Sequence, residues 1–359
     1  MTPDARLDAP PRLPARLLAR LAALAFPVRG PRPRPDELRR VLVVRSDDRV
    51  GNALLTVPLA LALRDALPAA RIDLLLARRR ASVAEGLPGI RIVPFEKTDA
   101  FRHPVRFIRF LKELRAARYD AVIDAAHWHA FSVTSALLSR FATSRWLVGA
   151  ERGPSFLYSH AEPPPAPGTP ETNAKLLLLR GLGLQPPARP ALQTALGMGR
   201  EAWAGEVTRG LGRFAAVNPG ARKNDHRWPP DRFAAFVRAL RDRGIPSLLT
   251  WGPGEEPLAR WVADTSGADA RVAPATDLDH LAALFRRASV VVTNDTGPMH
   301  LAAACGAPVL ALLHAPEGAR WVHAGPRFVA LVSPEVPEAV TAAGRLLDSD
   351  GATFEPARG

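Results

Sequence analysis

Two long stretches of this chain repeat one alternation, a short apolar β-branched run followed by a longer helical pattern. In the first stretch the runs are VLVVR (41–45), IDLLL (72–76), AVIDA (121–125) and WLVGA (146–150). The helical patterns between and after them are Ala53–Leu67, Pro104–Ala117 and Phe131–Phe141. Short runs that are apolar throughout, rather than at every second position, predict strands buried on both faces. Alternating with helices, they predict a parallel sheet covered on both sides. Proline-rich breaks follow at 162–170 and 186–190, around a helix near Thr172–Leu182. The alternation then restarts with FAAVNPG (214–220), SLLTWG (247–252), SVVVTND (289–295), APVLALLHA (307–315) and RFVALVS (327–333). Its helices read as Asp231–Arg243, one through Trp261, Asp277–Arg287, one opening at Gly297–Cys305, and Glu335–Leu347. The expectation is α/β, in two consecutive domains over 38–190 and 191–359, behind a basic Pro/Arg-rich extension over 1–37. Ligands of such sheets bind beyond the carboxyl ends of the strands, so a site in a cleft between the two domains is expected.

Length and composition fit this reading. The 359 residues are 47% apolar and 23% charged, which excludes a coiled coil, a disulfide-stapled mini-protein and a disordered chain. The single cysteine, Cys305, forms no internal disulfide or zinc site and reads as a buried small hydrophobe. No apolar stretch approaches the roughly 20 residues of a membrane span, and no secretory signal is legible. A cytoplasmic protein is expected. Its net charge of +13 is almost all arginine, since only Lys97, Lys112, Lys175 and Lys223 are lysines. Such a balance favours anionic partners or reflects a biased genome. Within the extension, Leu13, Leu17, Leu21 and Leu24 share one face of the stretch Pro14–Phe26, beside Arg16 and Arg20. A basic amphipathic helix of this kind either lies peripherally on an anionic membrane, here the inner face of the cytoplasmic membrane, or packs on the protein's own body.

Three loops at strand ends carry candidate chemistry. In Asn294-Asp295-Thr296-Gly297-Pro298-Met299-His300 a strand runs into a helix start. Asp295 or Thr296 can cap that helix, and Pro298 fits its first turn. Gly297 admits a ligand to the backbone, and His300 can reach a phosphate oxygen. In Asn218-Pro219-Gly220-Ala221-Arg222-Lys223, continuing to His226-Arg227-Trp228-Pro229, a glycine loop with basic residues can hold a diphosphate. Trp228 reads as packing rather than base stacking. At the third strand end, Trp251-Gly252-Pro253-Gly254-Glu255 offers a carboxylate to ribose hydroxyls.

Together these loops resemble glycosyltransferase family 9, the heptosyltransferases of lipopolysaccharide core assembly. The resemblance lies in DTGPMHLAAA (295–304), NPG…RWP (218–229), GPGE (252–255) and GNALLTVPLALALRDALPAARIDLLL (51–76). It implies a GT-B fold, two Rossmann-like domains facing across a cleft, with the donor on the second and the acceptor on the first. It also implies an inverting transfer without metal or cofactor, usually of heptose from ADP-heptose, onto a lipopolysaccharide-core or related glycan or glycolipid acceptor. Carried over, Thr296, Gly297 and His300 hold the donor pyrophosphate, with Asp295, Gly220, Arg222, Lys223 and His226 around it and Glu255 near the ribose.

Two positions depart from the family pattern. The family's Leu-Gly-Asp, whose aspartate is the proposed general base, is Val50-Gly51-Asn52 here. An amide takes no proton from a hydroxyl, so Asp47 or Asp48 in the same loop serves as base if the loop turns it into the cleft, Asp48 being preferred on proximity alone; otherwise the pair solvates the loop and caps the helix from Gly51. His226 stands where the family has a lysine, and Lys223 or Arg222 supplies the charge instead. Arg45, Arg49, His127 and His129 point to the acceptor side. The histidine pair, i and i+2 on a loop with no carboxylate pair nearby, argues for acceptor contacts rather than metal. The competing readings are a transferase of another nucleotide sugar and, because of Asn52, a non-catalytic nucleotide-sugar binder. A nucleic-acid-binding role is motivated only by charge and has no motif behind it, so no nucleic acid is expected.

Overall fold

The computed structural model describes residues 13–28, 30–152, 154–222, 227–267 and 269–349, in two compact units that divide after Leu192. Lys223 and His226 therefore lie outside the described residues.

The first unit runs α1 (Leu13–Ala25), β1 (Arg40–Arg45), α2 (Val50–Leu54), α3 (Val57–Ala66), β2 (Arg71–Ala77), β3 (Ile90–Phe95), α4 (Asp99–Arg102), α5 (Pro104–Ala116), β4 (Tyr119–Asp124), α6 (Val133–Ala142), β5 (Thr143–Ala150), β6 (His160–Glu162) and α7 (Glu171–Leu177). Its six strands are all parallel, in the order β3-β2-β1-β4-β5-β6. Past their first residue, β1 and β2 are buried throughout, as fully covered strands must be. One face of the sheet (Leu42, Val44, Leu75, Val122, Leu147) packs with Leu114 of α5 and with Leu138 and Ala142 of α6.

Two features differ from the sequence reading, and a third decides between its alternatives. The long helix over 53–67 is two helices, α2 and α3, because Pro58 fits only the first turn of a helix and a new one starts after Thr56. β3 has no counterpart among the expected strands; Pro94 interrupts its pattern, yet it is an edge strand, where proline is tolerated. The helical stretch at 13–25 is tied to the body. Ala22 is buried, Arg140 donates to the Ala23 carbonyl at 3.2 Å, and Phe26 meets Phe141 edge-on at 5.2 Å. Its outer ridge, Leu17, Leu21 and Leu24, stays exposed.

The second unit runs α8 (Glu201–Val207), β7 (Ala215–Asn218), α9 (Pro230–Arg241), β8 (Ser247–Leu249), α10 (Glu256–Ser266), β9 (Arg271–Val272), α11 (Leu278–Arg287), β10 (Val290–Asn294), α12 (Gly297–Ala304), β11 (Val309–Leu313), β12 (Phe328–Val332) and α13 (Val336–Ser349). Its sheet order, β12-β11-β10-β7-β8-β9, is the same topology again, all parallel. Phe233, Phe236, Val262, Val290, Leu310 and Leu346 lie in its core, with Trp228 packed edge-on against Phe233. Cys305 is half-buried rather than fully buried, and burial pushes its thiol up to about 12.

Both sheets have the order of dinucleotide-binding domains. The chain reverses direction of growth between β1 and β4 in one and between β7 and β10 in the other. At such switch points the loops after adjacent strands splay apart and leave a crevice for ligand.

Candidate active site

At the switch point of the second unit, β7 ends at Asn218 and β10 at Asn294. The buried Asn294 amide locks the two following loops together. Its Nδ2 donates to the carbonyls of Pro219 (2.9 Å) and Gly220 (3.1 Å), and its Oδ1 accepts from the Trp228 amide at 2.8 Å. Arg227 donates to the Ala221 carbonyl (2.9 Å) and to Glu255 (3.2 Å), while the Glu255 carboxylate also accepts from the Gly252 amide at 3.1 Å. A methyl group on Gly220 would lie 2.0 Å from Glu255 Oε2, so a larger residue there would have to displace the Glu255 carboxylate from its place. Glu255 is thus held by Arg227 and the Gly252 amide beside Gly220. Arg222 is exposed.

Thr296 occupies the N-cap of α12, but its hydroxyl donates to the Asn294 carbonyl at 3.3 Å and caps nothing. Neither expected side-chain cap, from Asp295 or Thr296, forms. No side chain among the described residues therefore claims the first-turn Gly297 amide, and the positive end of the helix is left open to an anion. Burial pushes the half-buried Asp295 carboxyl up to about 6. His300 is buried and shares a 2.9 Å hydrogen bond with His323. Burial, then the neighbouring His323, holds His300 well below the usual imidazole range, and burial lowers His323 to about 4. Both rings are neutral near pH 7.

At the switch point of the first unit, the chain leaving β1 forms a second polar cluster with the loop after β4. Buried Arg45 donates to the Ala125 carbonyl at 2.9 Å, ion-pairs with Asp47 and hydrogen-bonds the buried His127 ring at Nε2. His127 Nδ1 meets Glu171 of α7, and Lys175, one turn on, reaches both Glu171 (3.2 Å) and the Ala125 carbonyl (2.7 Å). Burial opposes the charge on Glu171, but Lys175 and His127 overcome it and hold its carboxyl far below its ordinary range. Lys175 is fully buried, and burial followed by repulsion from Arg45 lowers its ammonium to about 8. Burial, then Arg45 and Lys175, keeps His127 well below the usual imidazole range. His129 stacks on His127 at 4.7 Å and is half-exposed.

Asp47 and Asp48 part company in this loop. Asp47 Oδ1 accepts from Asn52 Nδ2 at 2.8 Å and from the Arg49 amide at 3.2 Å. Asp48, although nearer to Asn52 in sequence, turns out to solvent and pairs with Arg80 at 2.9 Å. The Arg49 side chain is exposed. Glu171 supplies a carboxylate that the histidine spacing did not show, and ligand atoms of His127, His129 and Glu171 lie within 4.8 Å of one another. Both nitrogens of His127 are already engaged, however, and Arg45 and Lys175 bring the compensating positive charge. Those partners make a buried ion-pair network.

A model of glycosyltransferase family 9 (heptosyltransferase) matches residues 107–341. The chain belongs to glycosyltransferase family 9. Among curated relatives, the Escherichia coli K12 lipopolysaccharide heptosyltransferase 3 is 26% identical over 285 residues, covering 76% of this chain and 81% of that protein. Lipopolysaccharide heptosyltransferase 1 of the same strain is 26% identical over 282 residues, covering 75% and 86%. In solved structures, a family 9 glycosyltransferase from Veillonella parvula shares the fold with a TM-score of 0.77 at 20% identity, over 87% of this chain and 98% of that one. The E. coli heptosyltransferase WaaC, solved with ADP, gives 0.68 at 24% identity over 86% and 99%. The protein is thus a glycosyltransferase of GT-B fold.

For this family 9 glycosyltransferase the sequence reading passed over Asn294, Arg227, His323, Glu171, Lys175 and Asp124 as site residues. Asp124, at the end of β4, is buried and accepts from Ser135 (2.6 Å), Tyr158 (2.8 Å) and the Ala126 amide (3.2 Å). A signal existed for two of them. Glu171 and Lys175 are four apart at the start of a helix, a spacing that places them on one face.

Proposed function

We propose that this glycosyltransferase moves a heptose from ADP-heptose to a hydroxyl of a lipopolysaccharide-core or related glycan acceptor, by an inverting, metal-independent displacement on the cytoplasmic side of the membrane. The observation that carries the donor half is the uncapped start of α12 with neutral His300 one turn in, locked by Asn294 to the Gly220 loop. The names of the curated relatives support heptose and lipopolysaccharide, and the ADP-bound relative supports the adenine nucleotide. The diphosphate sits on the Gly297 amide, with His300 donating to a phosphate oxygen and Arg222, Lys223 and His226 completing the charge. Glu255 accepts from the ribose hydroxyls.

The acceptor half rests on Asp47. An acceptor hydroxyl attacks the anomeric carbon as the bond from that carbon to the diphosphate breaks. Its proton passes to a carboxylate, and ADP leaves. Asn52 stands where the family's base stands and, through its amide, holds Asp47 beside it. Asp47 is therefore the base, with Arg45, Arg49, His127 and His129 addressing the acceptor. With no divalent cation, the α12 dipole and the basic loop stabilise the departing diphosphate.

The experiment is calorimetric titration with ADP, GDP, UDP and CDP, together with turnover of ADP-heptose. ADP should bind selectively and His300→Ala should abolish that binding. Asp47→Asn should lose about 10²–10⁴ in kcat with donor affinity unchanged, the range general-base removal produces. Asp48→Asn should leave kcat within about twofold, as removal of an exposed ion pair should. Selective binding of another diphosphate would reassign the donor. Full turnover by Asp47→Asn would remove Asp47 as base.

A further inference from the structure

One side of the first unit carries a surface that the transfer chemistry leaves unexplained. α4 presents Phe101 (88% exposed), and α5, which starts after the non-helical His103, presents Val105 (72%) and Ile108 (51%) at i and i+3 on one face, so three large apolar side chains lie exposed along these two short helices. Arg102, Arg106, Arg109, Lys112 and Arg115 flank them, with Glu113 as the one exposed acid on α5. α5 and α6 cover the same face of the sheet, and α1 packs on α6, so the exposed Leu17–Leu21–Leu24 ridge belongs to the same layer.

A second, independent feature lies where α5 ends. A cavity of about 700 Å³ is lined by Lys112, Arg115, Arg118, Phe141 and Arg145, with Asp120 as its single acid. Asp120 is already taken by Arg145 at 2.7 Å and by the Arg39 and Arg40 amides, and Arg115 donates to the Phe141 carbonyl. The side chains of Lys112 and Arg118 have no hydrogen-bond or ion-pair partner among the described residues, although the Arg118 amide donates to the Arg115 carbonyl at 3.3 Å. Arg118 also sits at φ +49°, the left-handed position after a helix where glycine is the relaxed choice. The cavity lies at the starts of β4 and β5, the opposite end of the sheet from Arg45 and Asp124, so it is distinct from the acceptor cluster.

We infer that the α4–α5 face docks on an anionic phospholipid bilayer, the exposed apolar residues entering the acyl boundary and the basic cavity holding a lipid phosphate. The pairing of the two features decides the partner. Exposed Phe, Val and Ile gain nothing from a nucleic-acid backbone, but they gain where a bilayer takes them out of water. Cations beside such residues are what the negative potential of an anionic leaflet attracts. The inference is independent of the donor, the acceptor and the base.

The test is flotation of the full chain with phosphatidylcholine vesicles, with and without phosphatidylglycerol. The wild-type protein should partition at least about tenfold more strongly onto the anionic vesicles, and added salt should weaken the difference. Lys112→Glu with Arg118→Glu should erase the anionic preference. Phe101→Ser with Val105→Ser and Ile108→Ser should release the protein from both vesicles. These changes are exposed, so an unchanged melting temperature should accompany each. Equal partition onto neutral and anionic vesicles, or variants that partition like the wild type, would overturn the proposal. So would binding of duplex DNA through Lys112 and Arg118 by a protein that ignores vesicles.

Discussion

A carboxylate is useful as a base only where its lone pair is presented to the hydroxyl it must deprotonate. Of two adjacent aspartates, the fold turns Asp47 toward Asn52 and Arg45 and sends Asp48 to Arg80. Sequence distance favoured Asp48, because backbone direction within a loop is not legible from residue order. Protonation at the other site follows similar local physics. His300 and His323 are neutral over the working range, so neither should shape the pH dependence of donor binding. Asp295, raised to about 6 by burial, should. Below that pH it is protonated and neutral. Above it, its negative charge would lie beside a diphosphate at the proposed donor site, so ADP affinity should fall as pH rises through about 6. Asp295→Asn should remove that fall and bind ADP about tenfold more tightly at pH 8, the change that one unit of coupled pKa shift produces. Titration of both proteins from pH 5 to 8 separates this from the nucleotide's own ionisation, which the two share. A variant with the same pH slope as the wild type would place Asp295 away from the diphosphate.

At the scale of elements, the donor loops act as one piece because single side chains bridge them. Asn294 joins the β10 loop to the β7 loop, and Glu255 joins the start of α10 to Arg227 and Gly252. Gly220→Ala should be felt across all three loops, since its new methyl meets the Glu255 carboxylate at 2.0 Å. Overpacking of this kind costs about 1–3 kcal/mol, and the expected readout is a lowered melting temperature with donor affinity reduced about tenfold or more. Unchanged ADP binding would mean the loops move independently. Strands, helices and the glycine–histidine loop were readable from hydrophobic period and motif. The bridges were not, because they join residues up to 75 apart whose only sequence trace is an ordinary Asn or Arg. β3 shows the same limit, since its proline is permitted only by an edge position that topology assigns.

Over the whole molecule, the N-terminal extension includes a helix fixed to the first unit, the second of the two alternatives its sequence left open. Deleting residues 1–28 removes Phe26 from Phe141 and leaves Arg140 without the Ala23 carbonyl. Scanning calorimetry should show a loss of about 1–3 kcal/mol, typical where buried contacts are broken, while ADP affinity, which the proposed donor site assigns to the second unit, should stay the same. Unchanged stability would return the helix to the status of an appendage. From the sequence alone came the two α/β units, the candidate ligand-bearing strand ends, the family, and the candidate phosphate loop. These depend on periodicity, glycine placement and local capping, which short segments encode. Tertiary structure alone decided which aspartate meets Asn52, that Glu171 and Lys175 neutralise a buried cluster with Arg45 and His127, and that exposed apolar residues of α4 and α5 lie close to a basic cavity. Those facts depend on distances between segments far apart in the chain, and burial, which sets each group's charge and partner, exists only once the chain has folded.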